Sequence, residues 1–139
     1  MVILDTNVVS ELMHEPPDPA VVAWLNGQAR VSVWTTAICV MEIRYGIATL
    51  SPGRRQSRLL QAMERLVAEK IEHRVAAFDS AAALSTAMLM AERRGTGRTG
   101  DLRDAMIAGI AIANMGTLAT RNIRHFDDLS VPVVDPWSA

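Results

Sequence analysis

Lysine, cysteine and aromatic residues are nearly missing from this chain. Of fourteen basic residues only Lys70 is a lysine, so arginine carries almost all the positive charge. A guanidinium offers a planar fork of donors that suits phosphate oxygens in pairs, which an ammonium does not. Arg93, Arg94, Arg98, Arg103, Arg121 and Arg124 share one C-terminal stretch, compatible with RNA and equally with scattered solvated charge. The net charge of −1 neither demands nor excludes a nucleic-acid partner. The single cysteine, Cys39, excludes an intrachain disulfide; in the apolar run Ala37-Ile38-Cys39-Val40-Met41 it reads as a small buried hydrophobe. With aromatics at 4%, the core must be built from Ala, Val, Ile, Leu and Met, and most of the eight methionines are expected inside as gap-fillers. His14, His73 and His125 have no paired spacing and no cysteine cluster beside them, which argues against a zinc site. No run is long enough to span a membrane, because Ala105 to Ala119 is broken at Asn114. Met1 to Leu4 leads straight into Asp5 with no basic-then-apolar leader, so a soluble cytoplasmic protein is expected.

What is present is an alternation of strands and helices. A length of 139 residues suits one domain, residues 1–139, with no linker or repeat. Val2 to Leu4 reads as a buried strand, Asn7 to His14 as a helix stopped by Pro16-Pro17, and Pro19 to Asn26 as a second helix. Val31 to Trp34 reads as a strand, followed by a helix over Thr36 to Ala48. After the turn Ser51-Pro52-Gly53 comes an amphipathic helix with Leu59, Leu60, Met63, Leu66 and Val67 on one side. A strand over Val75 to Phe78, a helix over Ser80 to Arg94 and a helix over Leu102 to Met115 come next. Strands at Thr117 to Thr120 and Val131 to Val134 close the chain. Such alternation predicts an α/β fold, a mostly parallel central sheet with helices on both faces.

Four places along this pattern carry polar chemistry. Ligands of open parallel sheets gather beyond the carboxyl ends of the strands, and Asp5 stands where the first strand stops. Asp5, Thr6 or Asn7 also suits a plain helix cap, and the residues alone leave both readings open. Glu42 has Ile38, Cys39, Tyr45 and Gly46 one turn away, a largely apolar surface on which a carboxylate needs a cation. A metal ion meets that need, and so does an arginine from another segment. Asp101 and Asp104 open a helix, where a cap and a first-turn acid are favoured for reasons of the helix dipole alone. Asn122 ends the run Ala119-Thr120-Arg121-Asn122 and offers a neutral oxygen, with the Thr120 hydroxyl beside it, although a simple turn explains it as well. Oxygen donors of this kind suit Mg²⁺ or Mn²⁺.

Met1-Val-Ile-Leu-Asp-Thr-Asn-Val-Val-Ser-Glu11 resembles the opening of PIN-domain proteins, especially toxins of the VapC and FitB type. Val22-Val-Ala-Trp-Leu25, Met41-Glu-Ile-Arg-Tyr-Gly46, Asp104-Ala-Met-Ile-Ala108, Leu118-Ala-Thr-Arg-Asn122 and Val134-Asp-Pro-Trp137 are similar to the later blocks of that family, in order along the whole chain. The resemblance implies a PIN-like three-layer α/β/α sandwich with an acidic metal site. Its first three acids fall on Asp5, Glu42 and Asp104 as metal ligands, and its fourth acidic position falls on Asn122, completing the implied catalytic set. An amide there departs from the four-acid pattern and leaves a second metal open; Asp101 and Asp127 rank below Asn122 as substitutes. Thr6, Asn7, Asp101, Thr120, Arg98 and Arg121 are candidate supporting or RNA-contacting residues. The resemblance further implies an Mg²⁺- or Mn²⁺-dependent endoribonuclease acting on structured RNA, a small antitoxin partner and a homodimer. Helices between Thr36 and Lys70 are the expected surface for one of those partners.

Rival readings fit less well. Gly95-Thr-Gly-Arg-Thr-Gly100 matches the dinucleotide pattern GxGxxG, but that motif must follow a strand and this one follows a helix. It is expected to be a flexible connector whose Arg98 touches RNA. A haloacid-dehalogenase-type phosphatase needs a second aspartate where Asn7 stands, and a phosphate-receiver domain needs a lysine at a late strand end, whereas Lys70 lies in a predicted helix. A catalytically weak PIN-fold binding module stays open because position 122 is an amide. Trp24, Trp34 and Trp137 are expected to be packing anchors.

Overall fold

Val2, Ile3 and Leu4 form the first strand, β1 (Val2–Leu4), and their side chains alternate between two separate cores. Ile3 joins Ile38, Ile107, Ile110 and Leu118 on one face; Leu4 joins Val8, Val9, Ile43 and Met63 on the other. That alternation follows from the two-residue repeat of a strand and makes β1 the middle of three layers. The computed structural model describes all residues, Met1–Ala139.

The order along the chain is β1, α1 (Thr6–Leu12), α2 (Pro19–Asn26), β2 (Val33–Thr36), α3 (Ala37–Ala48), α4 (Arg54–Arg65), β3 (Val75–Ala76), α5 (Ser80–Gly95), α6 (Leu102–Ala113), β4 (Thr117–Ala119) and β5 (Val133–Val134). All four strand pairings are parallel, and the order across the sheet is β3-β2-β1-β4-β5. Helices α1, α2 and α4 cover one face and α5 and α6 the other, while α3 serves both cores, Ile38 and Cys39 on the α5–α6 side and Ile43 and Ile47 on the opposite one. The chain first builds outward from β1 through β2 to β3, then crosses back to lay β4 against the other side of β1. The direction of winding therefore reverses between β1 and β4, which opens a crevice at their carboxyl ends.

Helix starts follow local chemistry. Asp18, Thr36, Asp79 and Asp101 each cap a helix through a side-chain oxygen that accepts a backbone N–H, and proline occupies the first position of α2. On the second face α5 and α6 pack so closely that a Cβ placed on Gly109 would lie 1.8 Å from the Thr86 hydroxyl and 2.9 Å from the Ala82 carbonyl oxygen. Glycine at this position is a packing requirement.

Several boundaries differ from the sequence reading. Strand β2 starts at Val33, because Arg30–Ser32 forms a tight turn that leaves Val31 exposed. It extends through Thr35 and Thr36, whose polarity is no obstacle: Thr35 donates to the Leu4 carbonyl at 2.9 Å, and Thr36 caps α3. Helix α1 begins at Thr6 and ends at Leu12. Helix α6 stops at Ala113, since Asn114 turns its amide back onto the Ile110 carbonyl at 2.8 Å and Met115 takes φ 52°. The strand expected over Val75 to Phe78 ends at Ala76, leaving Asp79 free to cap α5. The strand expected from Val131 is confined to Val133–Val134, since Pro132 has no N–H to give and only accepts, from Leu118, at 2.9 Å. The methionines also correct the expectation: Met63 is fully buried, but Met1, Met41, Met88, Met90 and Met115 are exposed. Cys39 is buried and its thiol titrates above its usual range, chiefly because burial disfavours the thiolate.

Candidate metal centre

Asp5 lies at the carboxyl end of β1, directly beside the point where β4 ends, and is only 4% exposed. One carboxylate oxygen accepts from the Thr6 N–H at 2.7 Å, which caps α1. The other accepts from the Thr120 hydroxyl at 2.7 Å and more loosely from the Asn7 amide at 3.5 Å. One oxygen therefore serves the capping reading, while the other is held by Thr120 and Asn7 at the carboxyl ends of β1 and β4. The Thr120 hydroxyl also accepts from the Asn122 N–H at 3.0 Å, and the Asn7 side-chain oxygen accepts from the Arg121 N–H at 3.3 Å. Residues just after β1 and just after β4 are thus laced together.

Glu42 reaches the same end of the sheet from α3 and Asp104 from the first turn of α6. Burial pushes the Asp5 carboxyl above its ordinary value; the charges of Asp104 and Glu42 push it further, and the bonds from Thr120 and Thr6 only partly offset this. Three carboxylates from three segments are therefore electrostatic neighbours. Each outer acid has found its own cation or donor. Glu42 accepts from the Thr6 hydroxyl at 3.1 Å, and the Arg103 guanidinium lies 3.8 Å from its second oxygen, so an arginine from another segment does meet it. Asp104 lies 3.1 Å from His125 Nδ1. Turned onto these partners, no three His, Cys, Asp or Glu side chains stand close enough to enclose one ion. The donor chemistry, carboxylate oxygens from three segments whose charges act together on the buried Asp5, fits a hard divalent cation.

The other candidates separate. Asp101 caps α6 by accepting from the Arg103 and Asp104 N–H groups, and its carboxyl titrates below the usual range chiefly for that reason. Asp127 is occupied by Arg98 at 2.6 Å. The glycine-rich loop is not a free connector. Arg98 bonds Asp127 and the Arg124 carbonyl, and its N–H bonds the Arg93 carbonyl at 2.8 Å. Arg121 stacks over Trp137 with 4.7 Å to the ring centre, which places that tryptophan beside the Thr120–Asn122 turn while it packs on the core. Sequence reasoning missed Arg103 and His125 as neighbours of the acids. Their separations from Glu42 and Asp104 are 61 and 21 residues, and no local pattern signals such pairing.

The PIN-domain family profile matches residues 2–131. The chain is a PIN-domain protein. It is 36% identical over 137 residues to VapC ribonuclease Y4jK of Sinorhizobium fredii, covering 99% of this chain and 98% of that protein. It is 33% identical over 137 residues to Toxin FitB of Neisseria gonorrhoeae, covering 99% of each. The structure of FitAB bound to the IR36 DNA fragment contains a chain that superposes with a TM-score of 0.88 at 34% identity, over 99% of this chain and 96% of that one. The sandwich expected from the PIN resemblance is the fold observed.

Proposed function

We propose that this PIN-domain protein is a metal-dependent endoribonuclease, the toxin half of a toxin–antitoxin pair, hydrolysing phosphodiester bonds in structured RNA in the cytoplasm. The observation that carries the reading is the position of Asp5, buried where the winding of the sheet reverses, its carboxyl raised chiefly by that burial and further by the charges of Asp104 and Glu42. Support comes also from relatives named as a VapC ribonuclease and as a toxin, and from likeness to a chain in the FitAB assembly. A small antitoxin is the partner this implies.

Asp5, Glu42 and Asp104 would hold Mg²⁺ or Mn²⁺, with Asn122 adding a neutral oxygen. The ion, when bound, supplies charge neutralisation for the scissile phosphate and a lowered pKa for an attacking water. To hold the ion, Glu42 and Asp104 would turn from Arg103 and His125, whose side chains would then be available to a phosphate. Thr120 and Asn7 fix the position of the second Asp5 oxygen. No helix is long and apolar enough to cross a membrane.

RNA cleavage with Mg²⁺, with Mn²⁺, with chelator and by Asp5→Ala tests the reading. Cleavage is expected only with ion and intact Asp5. Activity that survives both chelator and Asp5→Ala would remove the metal mechanism. One observation keeps a second reading, a catalytically weak PIN-fold binding module: position 122 holds an amide where the family pattern has an acid. Tight RNA or antitoxin binding without cleavage under any divalent ion would select it.

A further inference from the structure

Eight arginines take part in no ion pair, and three of them, Arg54, Arg55 and Arg58, crowd the first turns of α4. All three are exposed, no acid occupies the first turn of α4, and no guanidinium of the three makes a hydrogen bond within the protein. Positions 54 and 58, and 55 and 58, are helical neighbours, so the guanidinium groups form one face. Concentrated like charge without internal partners is unfavourable for the free protein and favourable against a polyanion.

This basic face is joined to Glu42, one of the three site acids, by a groove. One cavity of about 360 Å³ runs from Thr6 and Glu42 past Gly46 to Met13, Leu59 and Arg55. A second, of about 480 Å³, shares Met13, Leu59 and Arg55 and continues to Arg58, with Glu15 its one carboxylate. Arg58 and Arg54 then line a shallower depression at the start of α4. The path therefore leads from the candidate metal centre to a three-arginine terminus over a floor of Met13 and Leu59.

We propose that this groove is the track of the RNA strand beyond the cut, with Arg54, Arg55 and Arg58 binding phosphates several nucleotides from the scissile bond. The inference rests on the ribonuclease reading for the meaning of "cut", but the binding it asserts is measured without cleavage. The occupant is a single strand: the arginines supply charge to successive phosphates and the methionine and leucine floor supplies an apolar surface for unstacked base faces.

The test uses an Asp5→Asn background and a fluorescein-labelled single-stranded RNA of mixed sequence, with Kd followed against salt. Each phosphate released from a guanidinium changes the slope of log Kd against log salt by about 0.7. The variant R54Q/R55Q/R58Q is expected to flatten that slope by about 2. The control R44Q/R65Q/R94Q removes three exposed, unpaired arginines outside the groove and is expected to leave the slope unchanged. Both variants are checked for an unaltered thermal midpoint. Equal flattening by both would overturn the track, since bulk charge alone would then explain binding. An unchanged slope in the groove variant would overturn it too, and loss of an acidic peptide instead would make the groove a protein-docking face. In the Asp5 protein, the groove variant should raise KM for long RNA and leave a trinucleotide unaffected. If no RNA is cut at all while the slope still flattens, the ribonuclease reading falls and the track stands.

Discussion

Asp5 combines two demands that a single side chain rarely meets, since it caps α1 with one oxygen and, buried, feels the charges of two other carboxylates. Its carboxyl is raised in the folded protein, so the folded state holds a proton more tightly than the unfolded chain does. The resulting stabilisation is present below the ordinary carboxylate pKa and is lost as pH rises through the raised value. At neutral pH, with no divalent ion, Asp5→Asn should therefore raise the thermal midpoint, by a gain of about 1 kcal/mol, and should abolish cleavage. A lowered midpoint would show that the bonds to Thr6 and Thr120 need the charge and outweigh its burial. Asp128 shows the opposite sign. Arg93 holds its carboxyl below the usual range through two hydrogen bonds of 2.8 and 2.9 Å, helped by the charge of Arg98. That contribution is present above the ordinary carboxylate pKa and fades as pH falls through the depressed value. Asp128→Ala would strand the buried Arg93 guanidinium at a cost of about 3 kcal/mol, read by urea unfolding at neutral pH. A loss no larger than that from an exposed ion pair would show that the His125 carbonyl, also bonded to Arg93, satisfies it alone. The Arg93–Asp128 partnership was not legible in the sequence, because the two are 35 residues apart and each looks like an ordinary surface charge.

Elements were easier to foresee than their ends. The apolar triplet Val2-Ile3-Leu4 and the proline-marked start of α2 state their conformations locally. The limits of β2 and β5 were set by partners instead: Thr35 is strand because Leu4 lies beside it to accept its hydroxyl, and Pro132 is excluded by its missing donor. The run Ala105 to Ala111 signalled a small-faced helix, but only packing reveals that the neighbour at Gly109 is α5. Gly109→Ala must displace Thr86 or push α5 and α6 apart, against backbone at Ala82 that has no side-chain freedom. A loss of about 3 kcal/mol is expected in chemical unfolding, within the range for overpacked cores. Unchanged stability would mean that Thr86 turns away and its bond to the Ala82 carbonyl is dispensable.

For the whole molecule, the exposed apolar side chains bear on assembly. Helix α3 presents Met41 and Tyr45, and α5 presents Leu84 and Met88, each pair one turn apart. The segment Thr36 to Lys70 expected to carry a partner contains only the first pair. If these faces form the homodimer that the family resemblance implies, Tyr45→Lys with Met88→Lys should halve the mass in sedimentation without lowering helix content; an unchanged mass would place the contact elsewhere. The sequence by itself determined the alternation of strands and helices and the polar residue types at strand ends, because those follow from period, capping and turn chemistry acting over a few residues. Only the tertiary structure decided which strands are neighbours, and with that the meeting of Asp5, Glu42 and Asp104, the diversion of the outer two to Arg103 and His125, and the groove that links Glu42 to α4. These depend on contacts between segments tens of residues apart, which local propensity does not encode.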